Sequence, residues 1–195
     1  MSDKLVFLDI ETTGLDPQRH EILEVGMVVR TDGQVGSDKN IHFSLGIDPW
    51  AAEEKALEVN RYYERQSELQ NLLISDEWAE RWLRSTLSEA VVIGNNPQFD
   101  LRFIEAFFLT HSRVQDSTPW YYHPIDLKAL VAGRLGMGEP PWSTKAIARE
   151  SGVAIPDDAH SALADATWNR DCYDSVFNYK ATRCTCGVEI PRRSS

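Results

Sequence analysis

Five side chains in this sequence have the types and spacing to do chemistry: Asp9, Glu11, Asp100, His160 and Asp165. The first two close the stretch LVFLDIETTGLDP, residues 5–17, where an apolar run ends in an acid, skips one position and delivers a second. Side chains alternate across a strand, so Asp9 and Glu11 project to one side if extended backbone continues that far. Two carboxylates at that spacing can share hard divalent cations such as Mg²⁺, which take oxygen ligands and keep several waters. The same pair would also suit a strand end whose acids meet solvent.

Asp100 sits in GNNPQFDLRF, where Asn95, Asn96 and Pro97 follow an apolar run and Phe99 and Asp100 open a helix. An acid there can serve a metal, or can simply favour the positive end of a helix dipole. His160 and Asp165 stand five residues apart in DDAHSALADATW, around the opening of the last helical stretch. The alternative for this group is a helix-start cluster with Asp157 or Asp158 as cap and His160 on the surface.

The elements that must position these residues are readable in outline. Leu5 to Asp9 reads as a short buried strand, Glu21 to Arg30 as a second, and Asn40 to Ile47 as a third with period-two alternation. The intervening TDGQ, 31–34, is turn chemistry, so the three strands are expected to form an antiparallel meander. One helix is expected over Pro49 to Gln66 and another from Ser75 or Asp76 to Leu87, with the Trp78–Trp82 pair marking an apolar face. A strand over 90–94 leads to a helix over 99–111. A brief strand ends near Asp126, which suits a cap for the helix that follows to about Leu135. Ser143 caps a helix that Gly152 stops, and the last long helix runs from about Ala159 to Tyr179. Asp171 and Asp174 are expected on its solvated side. Strands followed by alternating strands and helices point to an α/β layer fold with a mixed sheet.

Bulk properties narrow the function classes. A net charge of −10 argues against a broad basic face gripping long nucleic acid, but not against an enzyme that holds a few nucleotides through metal ions. No apolar run approaches the ~18 residues of a membrane span, and Met1-Ser2-Asp3-Lys4 has no signal-peptide character. Three cysteines, Cys172, Cys184 and Cys186, are too few for a disulfide scaffold and suit a reduced, cytoplasmic setting. CTCGVEIPRRSS has no periodicity and reads as a loose tail, which leaves 1–180 as the domain and 181–195 as an appendage.

In order along the chain stand Asp-x-Glu-Thr-Thr-Gly after a strand, Asn-x-x-Phe-Asp after another, and His-x-Ala-x-x-Asp near the C-terminus. This pattern resembles the DEDDh-type (DnaQ-like) 3′→5′ exonucleases, the group of polymerase proofreading subunits, oligoribonucleases and the tRNA-trimming RNase T enzymes. The resemblance spans roughly residues 5–178 with all four acids and the histidine in place. It implies a ribonuclease-H-like fold with a central five-stranded mixed β-sheet flanked by helices. It implies that Asp9, Glu11, Asp100 and Asp165 bind two Mg²⁺ or Mn²⁺ ions, with Asp9 as the candidate bridge and His160 as general base. Two such ions can clamp the attacking and leaving oxygens of an in-line phosphodiester hydrolysis. It further implies that Thr12, Thr13 and Leu15 cradle the terminal nucleotide, with Leu15 against a base; Asn96 could touch substrate or orient Asp100, and Phe99 suits a supporting role.

The activity so implied is release of nucleoside 5′-monophosphates from single-stranded DNA or RNA 3′ ends, with a homodimer or a polymerase as conceivable partners. Two alternatives belong to other classes. LDIETTG faintly matches the strand end of haloacid-dehalogenase-like phosphatases, with Glu11 replacing the second Asp. A non-catalytic polymerase-associated subunit would keep the fold with little activity.

Overall fold

The computed structural model describes residues 4–31, 38–111, 118–157 and 160–177. Five strands form one mixed sheet: β1 (Leu5–Thr12), β2 (Ile22–Arg30), β3 (Lys39–Ser44), β4 (Val91–Gly94) and β5 (Ile125–Asp126), in the order β3-β2-β1-β4-β5. β1, β2 and β3 pair antiparallel, as the meander requires, while β4 and β5 add parallel to β1. Cys184, Cys186 and the rest of the tail lie outside the described residues, as does the TDGQ turn beyond Thr31.

β1 continues three residues beyond the expected end and carries both acids on extended backbone. Its two faces supply two cores. Val6, Leu8 and Ile10 pack with α3 (Asp76–Leu87) and α4 (Pro97–His111). Phe7 faces the other way, toward α5 (Leu127–Leu135), α6 (Thr144–Ser151) and α7 (Ala162–Phe177). Strand alternation therefore turns Asp9 and Glu11 to the α7 side, two and four residues beyond Phe7.

Several elements depart from the sequence reading. The single helix expected over 49–66 is two, α1 (Glu54–Val59) and α2 (Tyr62–Leu72). Arg61 between them takes a left-handed backbone, φ 51°, which ends the first helix and redirects the second. Trp78 and Trp82 do not form the buried stripe of α3; Ala79, Leu83, Thr86 and Leu87 do, and both tryptophans are more than a third exposed. Trp82 packs its edge on Phe43 from the rim of that stripe. Asp174 is not on a solvated face. It accepts two hydrogen bonds from the buried guanidinium of Arg30, at 2.6 and 2.8 Å. Burying Arg30 is tolerable only because Asp38 completes the pairing. The expected caps are present: Asp126 accepts from the Ala129 amide, Ser143 from the Ala146 amide, and Gly152 closes α6 at φ 73°. Cys172 is buried in the α7-side core, and burial pushes its thiol up to about 12.

The approach of α7 to the sheet depends on one glycine. A Cβ at Gly26 of β2 would lie 2.1 Å from the carbonyl carbon of Ala162 and 2.2 Å from the Leu163 nitrogen. The first turn of α7 therefore rests directly on the β2 backbone, which only glycine permits.

Candidate active site

Three elements meet at the C-terminal end of β1. The strand brings Asp9 and Glu11; immediately beyond Glu11 its register with β2 shifts. The first turn of α4 brings Asp100, whose carboxylate accepts a 3.0 Å hydrogen bond from the Ile10 amide between the two strand acids. The first turn of α7 brings Asp165, and the turn before it brings His160. A ring nitrogen of His160 and carboxylate oxygens of Glu11 and Asp165 lie within 4.8 Å of one another. The structure thus gathers four acids and the histidine from positions up to 156 residues apart in sequence, 9 to 165.

The electrostatics are those of a cluster short of positive charge. Burial drives Asp9 well above the usual carboxylate range, reinforced by the charges of Asp100, Glu11, Asp165 and Glu24. Burial, followed by Asp165 and Glu24, pushes Glu11 up to about 8, against the opposing charge of Arg65. Burial raises Asp100 too, although the Ile10 amide pulls the other way. Crowded carboxylates of this kind resist ionisation until a cation joins them. An oxygen-rich donor set with one imidazole fits hard divalent ions, so the residues present suit the metal that the sequence reading implies.

The turn after the acids is built by its own side chains. The Thr12 hydroxyl donates to the Gly14 carbonyl at 2.7 Å, and the Thr13 hydroxyl accepts from the Glu21 amide at 2.8 Å. Both threonines are buried, so their hydroxyls shape the turn from within. Leu15 is the opposite case, 75% exposed at the tip. It borders a cleft of about 270 Å³ whose other walls include Glu11, Phe99, Ala56, Val59 and Asn60. Phe99 lines this cleft and also packs on Phe103, so it does more than support Asp100. Asn96 is exposed at the entry to α4, with φ 77°, and its carbonyl accepts from the Phe99 amide.

Sequence reasoning missed the layer behind the acids. Asn60 donates to the Thr12 carbonyl at 2.8 Å and pins the turn from the α1–α2 junction. Glu24, fully buried and directly opposite Glu11 in the β1–β2 ladder, accepts both terminal nitrogens of Arg65 at 2.9 and 2.8 Å. An acid with apolar neighbours on both sides inside the strand ILEVGMVVR was the available signal for Glu24. Nothing local in the sequence marks Arg65 as its partner.

Comparisons with known proteins agree with this geometry. A family model described as exonuclease, RNase T, matches residues 6–171. The PolC-type DNA polymerase III of Thermotoga petrophila is 30% identical over 163 residues, which cover 83% of this chain but 11% of that protein. The chain thus spans about a tenth of the PolC-type relatives it matches. The oligoribonuclease of Xanthomonas campestris pv. campestris is 27% identical over 199 residues, covering 95% of this chain and 92% of the relative. Among solved structures, E. coli exonuclease I in complex with a dT13 oligonucleotide has the same fold. It aligns at a TM-score of 0.64 and 14% identity, over 91% of this chain and 41% of that one. Among the described residues, no helix is long and apolar enough to cross a membrane.

Proposed function

The chain belongs to the exonuclease family whose model it matches over residues 6–171, and from that premise we propose that it releases nucleoside 5′-monophosphates from the 3′ ends of single-stranded DNA or RNA. The observation that carries this reading is the convergence of Asp9, Glu11, Asp100 and Asp165 at one strand end with the His160 ring among them. In the reaction, the oxygen of water bonds to phosphorus and the P–O3′ bond breaks. The phosphate departs on the released nucleotide, and the freed 3′ oxygen takes up a proton.

His160 accepts the proton of the attacking water. Imidazole is the side chain whose protonation changes near neutral pH, which suits it to that work. Asp9, Glu11, Asp100 and Asp165 would hold two Mg²⁺ or Mn²⁺ ions, which when bound supply Lewis acidity at the phosphate and acidify water toward neutral pH. Leu15 and Phe99 line the cleft where the terminal base would lie, and Thr12 and Thr13 shape the turn that would cradle the terminal nucleotide. Asn96, exposed at the entry to α4, would touch the substrate or orient Asp100. The phosphatase alternative offers no account of why His160 and Asp165 lie against Glu11.

The near full-length match to an oligoribonuclease favours short strands as substrate. The match to a segment of PolC-type polymerases favours a second reading, in which the nuclease works beside a polymerase. A cytoplasmic setting goes with either, as does a domain over 1–180 with 181–195 as a tail. The test is a product ladder from matched 5′-labelled DNA and RNA strands of several lengths, single- and double-stranded, with and without Mg²⁺. Stepwise shortening from the 3′ end with 5′-monophosphate release is expected. No shortening of any strand with either Mg²⁺ or Mn²⁺ overturns the proposal.

A further inference from the structure

His160 is held from both sides. Its backbone adopts the left-handed region, φ 72°, which a residue with a side chain seldom adopts unless its surroundings enforce it. Its amide donates to the Asp165 carboxylate at 3.1 Å, and its carbonyl accepts from Arg65 Nη1 at 2.9 Å. Arg65 is itself immobilised. It is bidentate to the buried Glu24 through Nη1 and Nη2, reaches Glu68 with Nε at 3.2 Å and with Nη2 again at 3.1 Å, and its side chain is 10% exposed. Glu24 is anchored in turn by His42 Nε2 at 2.5 Å and by the Ser161 hydroxyl at 3.4 Å, one residue past His160.

We propose that Arg65 is a positioning residue for the reaction: seated on Glu24, it grips the His160 carbonyl and fixes the backbone that aims the imidazole at Glu11 and Asp165. The inference rests on the general-base role assigned to His160 above. It gives a purpose to a buried ion pair that is otherwise costly. Desolvating Glu24 and Arg65 beside four further acids is a poor source of stability, but a guanidinium fork can satisfy Glu24 and still have an N–H directed at a carbonyl. Lysine, a compact point charge, cannot hold both geometries at once. Burial pushes Glu24 up, yet the hydrogen bonds from His42 and Arg65 outweigh it and hold the carboxylate below its usual range, so the seat stays charged. Helix α2 thereby acquires a role at the site although it contributes no ligand to it.

The test is a double-substitution cycle with Arg65→Lys, His160→Ala and the two combined, read as kcat and KM on a single-stranded oligonucleotide. Misplacing a reacting group by ~1 Å can cost on the order of 100-fold, so Arg65→Lys is expected to lower kcat about 10- to 100-fold with KM little changed. With His160→Ala already in place, Arg65→Lys should change kcat less than about twofold, because it acts through the same group. Amide exchange at Ser161 and Ala162, measured on the metal-free protein, should accelerate in Arg65→Lys. Where Arg65→Lys folds poorly, Arg65→Met with Glu24→Gln removes the guanidinium without stranding a buried carboxylate, and the same cycle applies. An unchanged kcat, an equal fall in both backgrounds, or unaltered exchange overturns the proposal. Near-parental activity of His160→Ala alone would instead overturn the general-base reading, so the two failures are distinguishable.

Discussion

Glu11 and Glu24 face one another across the β1–β2 ladder, yet their environments drive them to opposite charge states. Glu11 is pushed up to about 8 by burial and by Asp165 and Glu24, while Glu24 is held below its usual range by His42 and Arg65. One carboxylate has its cation built into the fold; the other is crowded by acids, with Arg65 as its one opposing charge. That division is the electrostatic design of the site, and it has a measurable consequence.

Unfolded carboxylates titrate near pH ~4. In the metal-free fold Glu11 titrates at about 8, and Asp9 and Asp100 are raised as well. Between those values the folded chain binds more protons than the unfolded one, so stability falls as pH rises through the window. Below pH ~4 both states are protonated and the contribution is complete. The chelator-treated protein should therefore melt at a lower temperature at about pH 8 than at about pH 5, and added Mg²⁺ or Mn²⁺ should restore the loss at the higher pH. A flat or rising profile without metal would show that the acids are not crowded as described.

Removing single acids should separate chemistry from folding. Asp9→Ala and Asp165→Ala are each expected to abolish metal-dependent digestion of a single-stranded oligonucleotide while raising the melting temperature of the metal-free protein, because each relieves like-charge repulsion. Activity and calorimetry on the same samples check both halves. A variant that loses activity and melts lower would indicate a structural role instead.

Gly26 should be as sensitive as a catalytic residue while touching no substrate. A methyl at this position collides with the Ala162 backbone at 2.1 Å, and α7 must move away to admit it. Because α7 carries Asp165, and His160 is two residues before Ala162, the displacement reaches the site. Gly26→Ala is expected to cost about 1–3 kcal/mol, the usual range for overpacking, and to lower kcat at least about tenfold even where the protein is folded. Gly133→Ala, in α5, is the control, since its methyl meets nothing within 4 Å. Thermal melts and kcat for the two variants would settle the comparison.

What the sequence disclosed and what it withheld follow from the range of the interactions. The meander, the caps at Asp126 and Ser143 and the acid-bearing strand rest on local patterns, and they are legible. The break at Asn60–Arg61 carries no glycine or proline; Asn60 turns there to hold the Thr12 carbonyl, a partner 48 residues away. The Arg65–Glu24 pair spans 41 residues and Arg30–Asp174 spans 144, distances at which no periodicity links partners. Trp78 and Trp82 misled for the related reason that helical spacing identifies a stripe, not the rotation that decides which stripe is buried. The convergence of the four acids and His160 was legible from the order and spacing of motifs, because the proposed chemistry fixes those residue types however the supporting layer is built.

Leu15 offers the cleanest test of where the strand end binds. An apolar side chain left 75% exposed just after the buried residues of a turn contributes little to folding. It borders the cleft that Phe99, Val59 and Ala56 complete, and a base slid between Leu15 and Phe99 would cover the apolar surface of both. Leu15→Ala should leave the melting temperature within about 1 °C, as for a surface change worth less than ~0.5 kcal/mol. Its KM for a single-stranded oligonucleotide should rise about 3- to 30-fold, the scale of losing a buried aliphatic contact or a base stack worth ~1–2 kcal/mol. Because Leu15 is at the tip of the turn and not among the acids, kcat at saturating substrate should change far less than KM. Phe99→Ala, by contrast, also strips the ring packed on Phe103 beneath Asp100, so it should lower stability and kcat as well as affinity. Equal KM for Leu15→Ala and the parent on both DNA and RNA would move the terminal base out of this cleft.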